Sequence, residues 1–356
     1  MFNQLYYIKE QSISQEVGSN ADFLKSREFC KRWIDGQESF TINTSGSTGT
    51  PKPIVITRAQ MEVSAKMTIE ALGLDEGDNA LVCLNTEYIA GKMMLVRGMV
   101  CELNLYITEP SSNPLEDLPE DLRIDFMAVV PLQMEAMIDQ GYIDLLNKMK
   151  AIIVGGAPIS LSLGEKMKEL TCPVFATYGM TETVSHIALK RMNGADASDY
   201  FQVLNNVAIA QDDRGCLTIN AILTNNETIV TNDVVKIIDQ KRFEWLGRAD
   251  NVVNSGGLKI YPEQLENQVR QILIGLDINC NLIIAGIADD SLGEKVVLIL
   301  EVKELDSGNL DSIKLSLKNS LPEYQAPKEI YCLENFVYTE NGKFKRSDTK
   351  IKASHP

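Results

Sequence analysis

Between residues 80 and 176 the chain alternates short apolar segments with helical ones, and few folds accept that alternation. Residues 80–84, 103–107, 126–130, 151–154 and 173–176 each read as a short buried strand. Helical stretches are expected at 91–101, 132–139 and 161–169, so this part of the chain is an α/β sheet core. Ahead of it, the spacing predicts a helix over 21–34, short strands at 40–43 and 54–56, and a helix over 59–72. After about residue 200 the rhythm changes to short strands at 207–210, 216–221, 228–231 and 234–238. From about 250 it changes again, to helices at 262–273 and 311–319 and strands at 281–287, 295–302 and near 328–332. A length of 356 residues is about two domains by size. The expected division is an N-terminal core over 1–249, with a β-rich part at about 200–246, and a small α+β domain over 250–356.

Composition excludes several functions. With 34 Lys plus Arg against 49 Asp plus Glu, the net charge is −15, which repels nucleic-acid phosphates and anionic lipid. Only His186 and His355 are histidines, so multi-His zinc sites are ruled out and a Ser-His-Asp triad has one internal candidate. The seven cysteines show no CxxC spacing and read as small buried hydrophobes. No secretory leader pattern and no membrane-length apolar run is visible, so a cytoplasmic protein acting on small molecules is expected, as a monomer or a homo-oligomer.

The most informative stretch is Thr44-Ser45-Gly46-Ser47-Thr48-Gly49-Thr50-Pro51-Lys52. Glycines permit tight turns with exposed N–H groups, hydroxyls donate hydrogen bonds and Lys52 brings charge, a chemistry suited to phosphate oxygens. The spacing is not that of a Walker loop, and on composition alone a Ser/Gly surface hairpin fits as well. Late in the chain, Asn341-Gly342-Lys343-Phe344-Lys345-Arg346 by itself reads as a basic, solvated tail after an Asn-Gly turn.

The loop resembles the phosphate-binding motif of the adenylate-forming superfamily, which includes acyl- and aryl-CoA synthetases, peptide-synthetase adenylation domains and luciferases. Further motifs follow in family order across residues 44–343. Tyr178-Gly179-Met180-Thr181-Glu182-Thr183 resembles the second nucleotide motif. The resemblance implies Tyr178 beside adenine, Thr181 at the α-phosphate and Glu182 on Mg2+. Gly155-Gly156 resembles the turn lining the adenine and acyl pockets, and Thr231-Asn232-Asp233 the segment whose Asp binds ribose. Asn232 replaces the family's usual glycine, in a place read as a turn. The block from Trp245 to Pro262 resembles the hinge region. It implies Arg248 at ribose or phosphate, Asp250 as hinge (with Asn251 its rival), and Ser255, Gly256 and Gly257 facing CoA. Lys343 matches the late lysine that serves the adenylation step.

The implied fold is that of the adenylate-forming enzymes, a large α/β domain with a β-rich subdomain and a small mobile C-terminal domain. The resemblance, with its phosphate loop starting at residue 44, implies an N-terminal region shorter than is usual in the family. Among its branches the chain most resembles the o-succinylbenzoate–CoA ligases of menaquinone synthesis, on the segment from Tyr88 to Arg97 and on Ser185-His186 after the Thr-Glu-Thr core. That substrate has two carboxylates: one reacts with ATP and the other needs a cation, for which Lys92 and Arg97 are the candidates. The implied reaction uses ATP, Mg2+ and CoA and passes through an acyl-adenylate. Another aryl or short acyl acid, a carrier-protein thiol, or a degenerate nucleotide-binding protein are the alternatives.

Overall fold

The computed structural model describes residues 6–9, 12–13, 21–43, 53–119, 121–338 and 345–354. The chain divides into two compact units. The first comprises residues 1–210, 218–230 and 237–244, the second residues 211–217, 231–236 and 245–356.

In the first unit the described helices are α1 (Ala21–Ile34), α2 (Arg58–Leu72), α3 (Ile89–Cys101), α4 (Pro131–Asp139), α5 (Ile143–Leu146) and α6 (Leu161–Lys168). Five strands run parallel, in the order Asn104–Ile107, Asn79–Val82, Phe126–Val129, Ala151–Val154 and Val174–Gly179. Every residue of the Phe126–Val129 and Ala151–Val154 strands is buried, as expected of parallel strands with both faces covered. One face packs Met134 and Met137 of α4 and Leu163 and Met167 of α6 against Met127, Ile152 and Val174.

The antiparallel edges were not legible in the sequence. Tyr6–Lys9 pairs with Asn104–Ile107 at one side. At the other, His186–Arg191 pairs with Val174–Gly179, so the change from parallel to antiparallel comes before residue 200. Phe201–Val203 follows, paired with the start of Arg242–Arg248.

Two helices fix the functional side chains of this unit. α2 opens on a capping box, with Thr57 Oγ1 accepting from the Gln60 N–H and Gln60 Oε1 from the Thr57 N–H, and stops at Gly73 in the left-handed conformation. It lies against α3 and buries Ser64 and Thr68, which share a face at i and i+4. α3 is buried from Met93 through Gly98, so it is a core helix, and Arg97 is carried inside with it.

The second unit holds α7 (Pro262–Ile274), α8 (Ser307–Ser320) and α9 (Arg346–Ser354) around a small sheet. Leu282–Asp289 and Gly293–Glu301 form its centre, and residues two apart share a face. Leu282, Ile284, Val296, Leu298 and Leu300 pack with α7 and α8. Ile283, Ala285, Val297 and Ile299 pack on the opposite face with Phe336 and Ala353. Two expectations are corrected here. The strands expected at 228–231 and 234–238 are one strand, Thr228–Asp239, because Asn232 keeps extended backbone and makes no turn. The basic tail expected at 341–346 is corrected only at its end: residues 341–344 lie outside the described residues, and Arg346 opens α9, in which Thr349 and Ala353 are buried.

Candidate active site

Tyr178 ends the fifth parallel strand, where the sheet opens to a loop. Its ring meets Phe243 edge-on at 5.1 Å and lies 5.7 Å from Phe201, which stacks on Phe243 at 5.4 Å. The stacked Phe201 and Phe243 thus buttress the Tyr178 ring, which stands across them rather than in their plane, and a ring held in this way can stack on a purine base. Gly156, at the end of the neighbouring strand, follows Val154 by two residues. Beyond Tyr178, Thr181–Thr183 form one turn of 3-10 helix, with Glu182 exposed and Thr183 fully buried. Gly179 is required by close approach: a Cβ there would sit 2.4 Å from the Ser185 carbonyl oxygen.

Val184 has φ 64° and ψ −55°, and the Ser185 N–H donates to the Thr183 carbonyl across it at 2.7 Å. This is a γ-turn of the rare, strained hand, held by a β-branched residue. Thr183 clamps it: its hydroxyl accepts from the Met180 N–H and lies 2.8 Å from the Ser185 carbonyl. Beyond the turn Ser185 meets Arg97 of α3 and His186 meets Thr68 of α2.

There Arg97 is waiting. It is 2% exposed, donates from Nη2 to Ser185 Oγ at 3.0 Å, and has no ion pair among the described residues. Among the described residues its buried Nε has no partner, and Nη1 meets only the Met94 sulfur at 3.6 Å. Burial brings its pKa down to about 9, so it remains charged at neutral pH. His186 is held well below its ordinary pKa, by burial and by the charge of Arg97, and is neutral. An isolated buried cation costs several kcal/mol, so this arrangement calls for an anion. Lys92 stands five residues earlier on α3, about 140° around the helix, and does not join Arg97. Its ammonium donates to the Glu87 carbonyl at 2.7 Å and lies 5.9 Å from the Phe29 ring centre.

A second cluster lies in the second unit. Asp233 is nearly buried, and its carboxylate accepts from the Trp245 indole N–H at 3.2 Å. Arg248 lies between Asp233 at 3.8 Å and Asp250 at 3.3 Å. Asn232 Nδ2 donates to Asp250 at 3.2 Å and its carbonyl accepts from Arg214 at 2.9 Å, so the residue replacing glycine is engaged with Asp250. Asn251 points elsewhere, to Glu263. Ser255 precedes a two-residue hairpin turn of Gly256 and Gly257, with φ of 57° and 80°. Both central residues of such a turn need positive φ, which accounts for the glycine pair.

Thr44, Ser45, Gly46, Ser47, Thr48, Gly49, Lys52 and Lys343 lie outside the described residues. Among the described residues no three His, Cys, Asp or Glu side chains form a metal cage. A lone exposed carboxylate, Glu182, with Thr181 beside it fits a Mg2+ ion that takes its other oxygens from phosphate and water. Sequence reasoning did not single out Thr68 or Val184, and it gave Trp245, the first residue of the hinge block, no role of its own.

The AMP-binding enzyme family matches residues 8–217, more than half of the chain. The chain belongs to the AMP-binding enzyme family. A 2-succinylbenzoate–CoA ligase of Listeria monocytogenes is 24% identical over 361 residues, covering 96% of this chain and 75% of that relative. A solved acyl-CoA synthetase (AMP-forming)/AMP-acid ligase II-like protein of Dyadobacter fermentans is 38% identical with TM-score 0.67, covering 98% of this chain and all of that one. The o-succinylbenzoate coenzyme A synthetase of Bacillus subtilis, solved with ATP and magnesium ion, is 21% identical with TM-score 0.69, covering 87% and 69%. This AMP-binding enzyme thus has the α/β fold of the adenylate-forming enzymes. No helix among its described residues is long and apolar enough to cross a membrane.

Proposed function

We propose that this enzyme is an ATP-dependent, AMP-forming ligase that joins 2-succinylbenzoate to CoA. The observation that carries the reading is Arg97, a buried guanidinium with no acidic partner among the described residues, presented at the half-exposed Ser185 just after the nucleotide motif. A monocarboxylic acid spends its only anion on the reaction. A dicarboxylic acid keeps a second one, and the free N–H of Arg97 matches it as a charge-assisted donor.

In this reading Tyr178 stacks on adenine, Asp233 accepts from the ribose hydroxyls, and Arg248 stands by ribose or phosphate. Thr181 and the hydroxyls and N–H groups of residues 44–49, with Lys52, hold the phosphates. Glu182 would hold Mg2+, which when bound would offset charge on the polyphosphate. The substrate carboxylate attacks the α-phosphorus, the bond to the β-phosphate oxygen breaks and pyrophosphate leaves. Lys343 stabilises the charge that builds on the transferring group. The CoA thiolate then attacks the acyl carbon of the adenylate and displaces AMP, with Asp250 as hinge and Ser255, Gly256 and Gly257 on the CoA side. No side-chain nucleophile is needed.

The test is thioester formation by purified protein with Mg·ATP, CoA and 2-succinylbenzoate, against benzoate, acetate and fatty acids, read by mass spectrometry. A thioester formed with 2-succinylbenzoate and not with the controls supports the reading. Thioester with the monocarboxylates at equal efficiency overturns the assigned substrate. Pyrophosphate release without thioester moves the acceptor from CoA to another thiol.

A further inference from the structure

Behind Ser185 the buried hydroxyls and the single internal histidine form a chain whose direction can be worked out. Thr68 Oγ1 is 3.1 Å from the Ser64 carbonyl, which can only accept, so the Thr68 hydroxyl hydrogen goes there. Thr68 Oγ1 is also 3.1 Å from His186 Nε2, and with its own hydrogen committed it accepts. His186 therefore carries its proton on Nε2 and leaves Nδ1 as an acceptor. Nδ1 is 3.4 Å from Ser185 Oγ, so Ser185 donates to it, which turns the serine lone pairs outward to accept from Arg97. Every link runs one way, from Arg97 through Ser185, His186 and Thr68 to a backbone carbonyl of α2. His186 and Thr68 are 5% and 0% exposed, so water does not substitute for either.

We infer that His186 and Thr68 are positioning residues for recognition of the acid's second carboxylate. They fix the Ser185 hydroxyl as an acceptor, which ties down one arm of the Arg97 fork and leaves its remaining N–H directed at the substrate. Without the chain, Ser185 is free to rotate and offers its hydrogen toward the guanidinium, and the fork loses its orientation. The inference rests on the proposed dicarboxylate substrate and extends it to residues that do not touch that substrate. It also gives a reason for a strained turn at Val184: the residues that follow the γ-turn, Ser185 and His186, are placed so that both ring nitrogens are used.

The experiment compares 2-succinylbenzoate with two analogues that each lack one carboxylate, 4-oxo-4-phenylbutanoate and 2-butanoylbenzoate. The wild-type chain is expected to prefer the dicarboxylate in kcat/KM over whichever analogue reacts. Thr68→Val and His186→Phe are each expected to cut that preference about tenfold, the worth of one hydrogen bond to a charged group, through KM for the dicarboxylate and not through kcat. His186→Gln, whose amide can both donate and accept, restores most of it. Nitrogen NMR of the wild-type protein provides a second readout, uncrowded because His186 shares the chain only with His355: the His186 ring must be the Nε2–H tautomer. A proton on Nδ1, or variants that slow the dicarboxylate and the analogue equally, overturns the inference while leaving the substrate intact. A wild-type chain with no preference for the dicarboxylate overturns the substrate, and the inference with it.

Discussion

The Arg97 guanidinium and the Ser185 hydroxyl, 88 residues apart in sequence, meet at 3.0 Å inside the first unit, with no carboxylate among the described residues to balance the charge. A buried charge with no acidic partner among the described residues is a stability cost, which the proposed binding role would justify. Arg97→Met keeps the volume and removes the charge. It should leave the fold intact and raise its stability by about 1–4 kcal/mol, as replacing buried ionic groups by apolar ones does elsewhere. The same variant should raise KM for 2-succinylbenzoate at least tenfold, while kcat/KM for a monocarboxylate is nearly unchanged. Thermal melting and steady-state kinetics on one preparation check both halves. A less stable Arg97→Met would mean that the guanidinium is paired after all.

In the second unit Asp233 accepts from the Trp245 indole N–H, which fixes the carboxylate proposed to accept from the ribose hydroxyls. Asp233→Asn is nearly isosteric, but it halves the acceptor set and removes the charge facing Arg248. The expected effect is a rise of tenfold to about a hundredfold in KM for ATP, equivalent to about 1.5–3 kcal/mol for hydrogen bonds to a charged group, with KM for the acid unchanged. Pyrophosphate release at varied ATP measures it. An equal rise in both KM values would point to a structural role.

Much of this was legible in the sequence where local pattern and burial agree. α1 is found at 21–34 as its apolar spacing predicts, and the strand Cys216–Ala221 has the bounds that its composition predicts. The period-two switching of Ile283 and Ile284 between two cores follows from strand geometry alone. What could not be read depends on distant partners. Nothing near Arg97 in sequence says that Ser185 will meet it, or that Thr68 will sit beneath His186. No apolar spacing in the sequence announced α9, and its helix has Thr349 and Ala353 buried, with the Thr349 hydroxyl accepting from the Val337 N–H. The turn expected at Asn232 failed for the same reason: pairing within a long strand outweighed a local preference.

Lys343 gives a prediction that separates the two half-reactions. If its ammonium serves only the transfer at phosphorus, Lys343→Ala should lower pyrophosphate release by a hundredfold or more, about 3 kcal/mol of lost transition-state stabilisation. Thioester formation from supplied acyl-adenylate should fall less than about threefold by the same reasoning. Asp250→Pro should show the reverse pattern, since a hinge serves the later step. Single-turnover assays of each half-reaction decide it. Equal losses in both steps for Lys343→Ala would remove the assigned role.

The last motif residue, Arg346, has a structural partner. Its guanidinium is bidentate on Glu266, at 2.6 and 2.8 Å, and also donates to the Ile284 carbonyl at 2.9 Å. It therefore pins the first turn of α9 to α7 and the central strand. Burial raises the Glu266 pKa, and the bonds from Arg346 work against that rise. Arg346→Met removes the charged partner and leaves the largely buried Glu266 carboxylate with the Ile284 N–H as its donor at 2.8 Å, so the pKa climbs further and the second unit loses about 1.5–3 kcal/mol at neutral pH, the worth of hydrogen bonds to a charged group. The sign with pH follows from the raised value. A carboxyl with a higher pKa folded than unfolded binds its proton more tightly when folded, so its contribution favours folding at low pH and is lost as pH rises through the folded pKa. Denaturation of Arg346→Met should accordingly show its largest deficit against wild type near pH 8 and a smaller one near pH 5. Glu266→Gln in the same background should recover part of the loss at neutral pH and abolish the trend. A deficit that does not change with pH would mean that Glu266 is not the group left uncompensated.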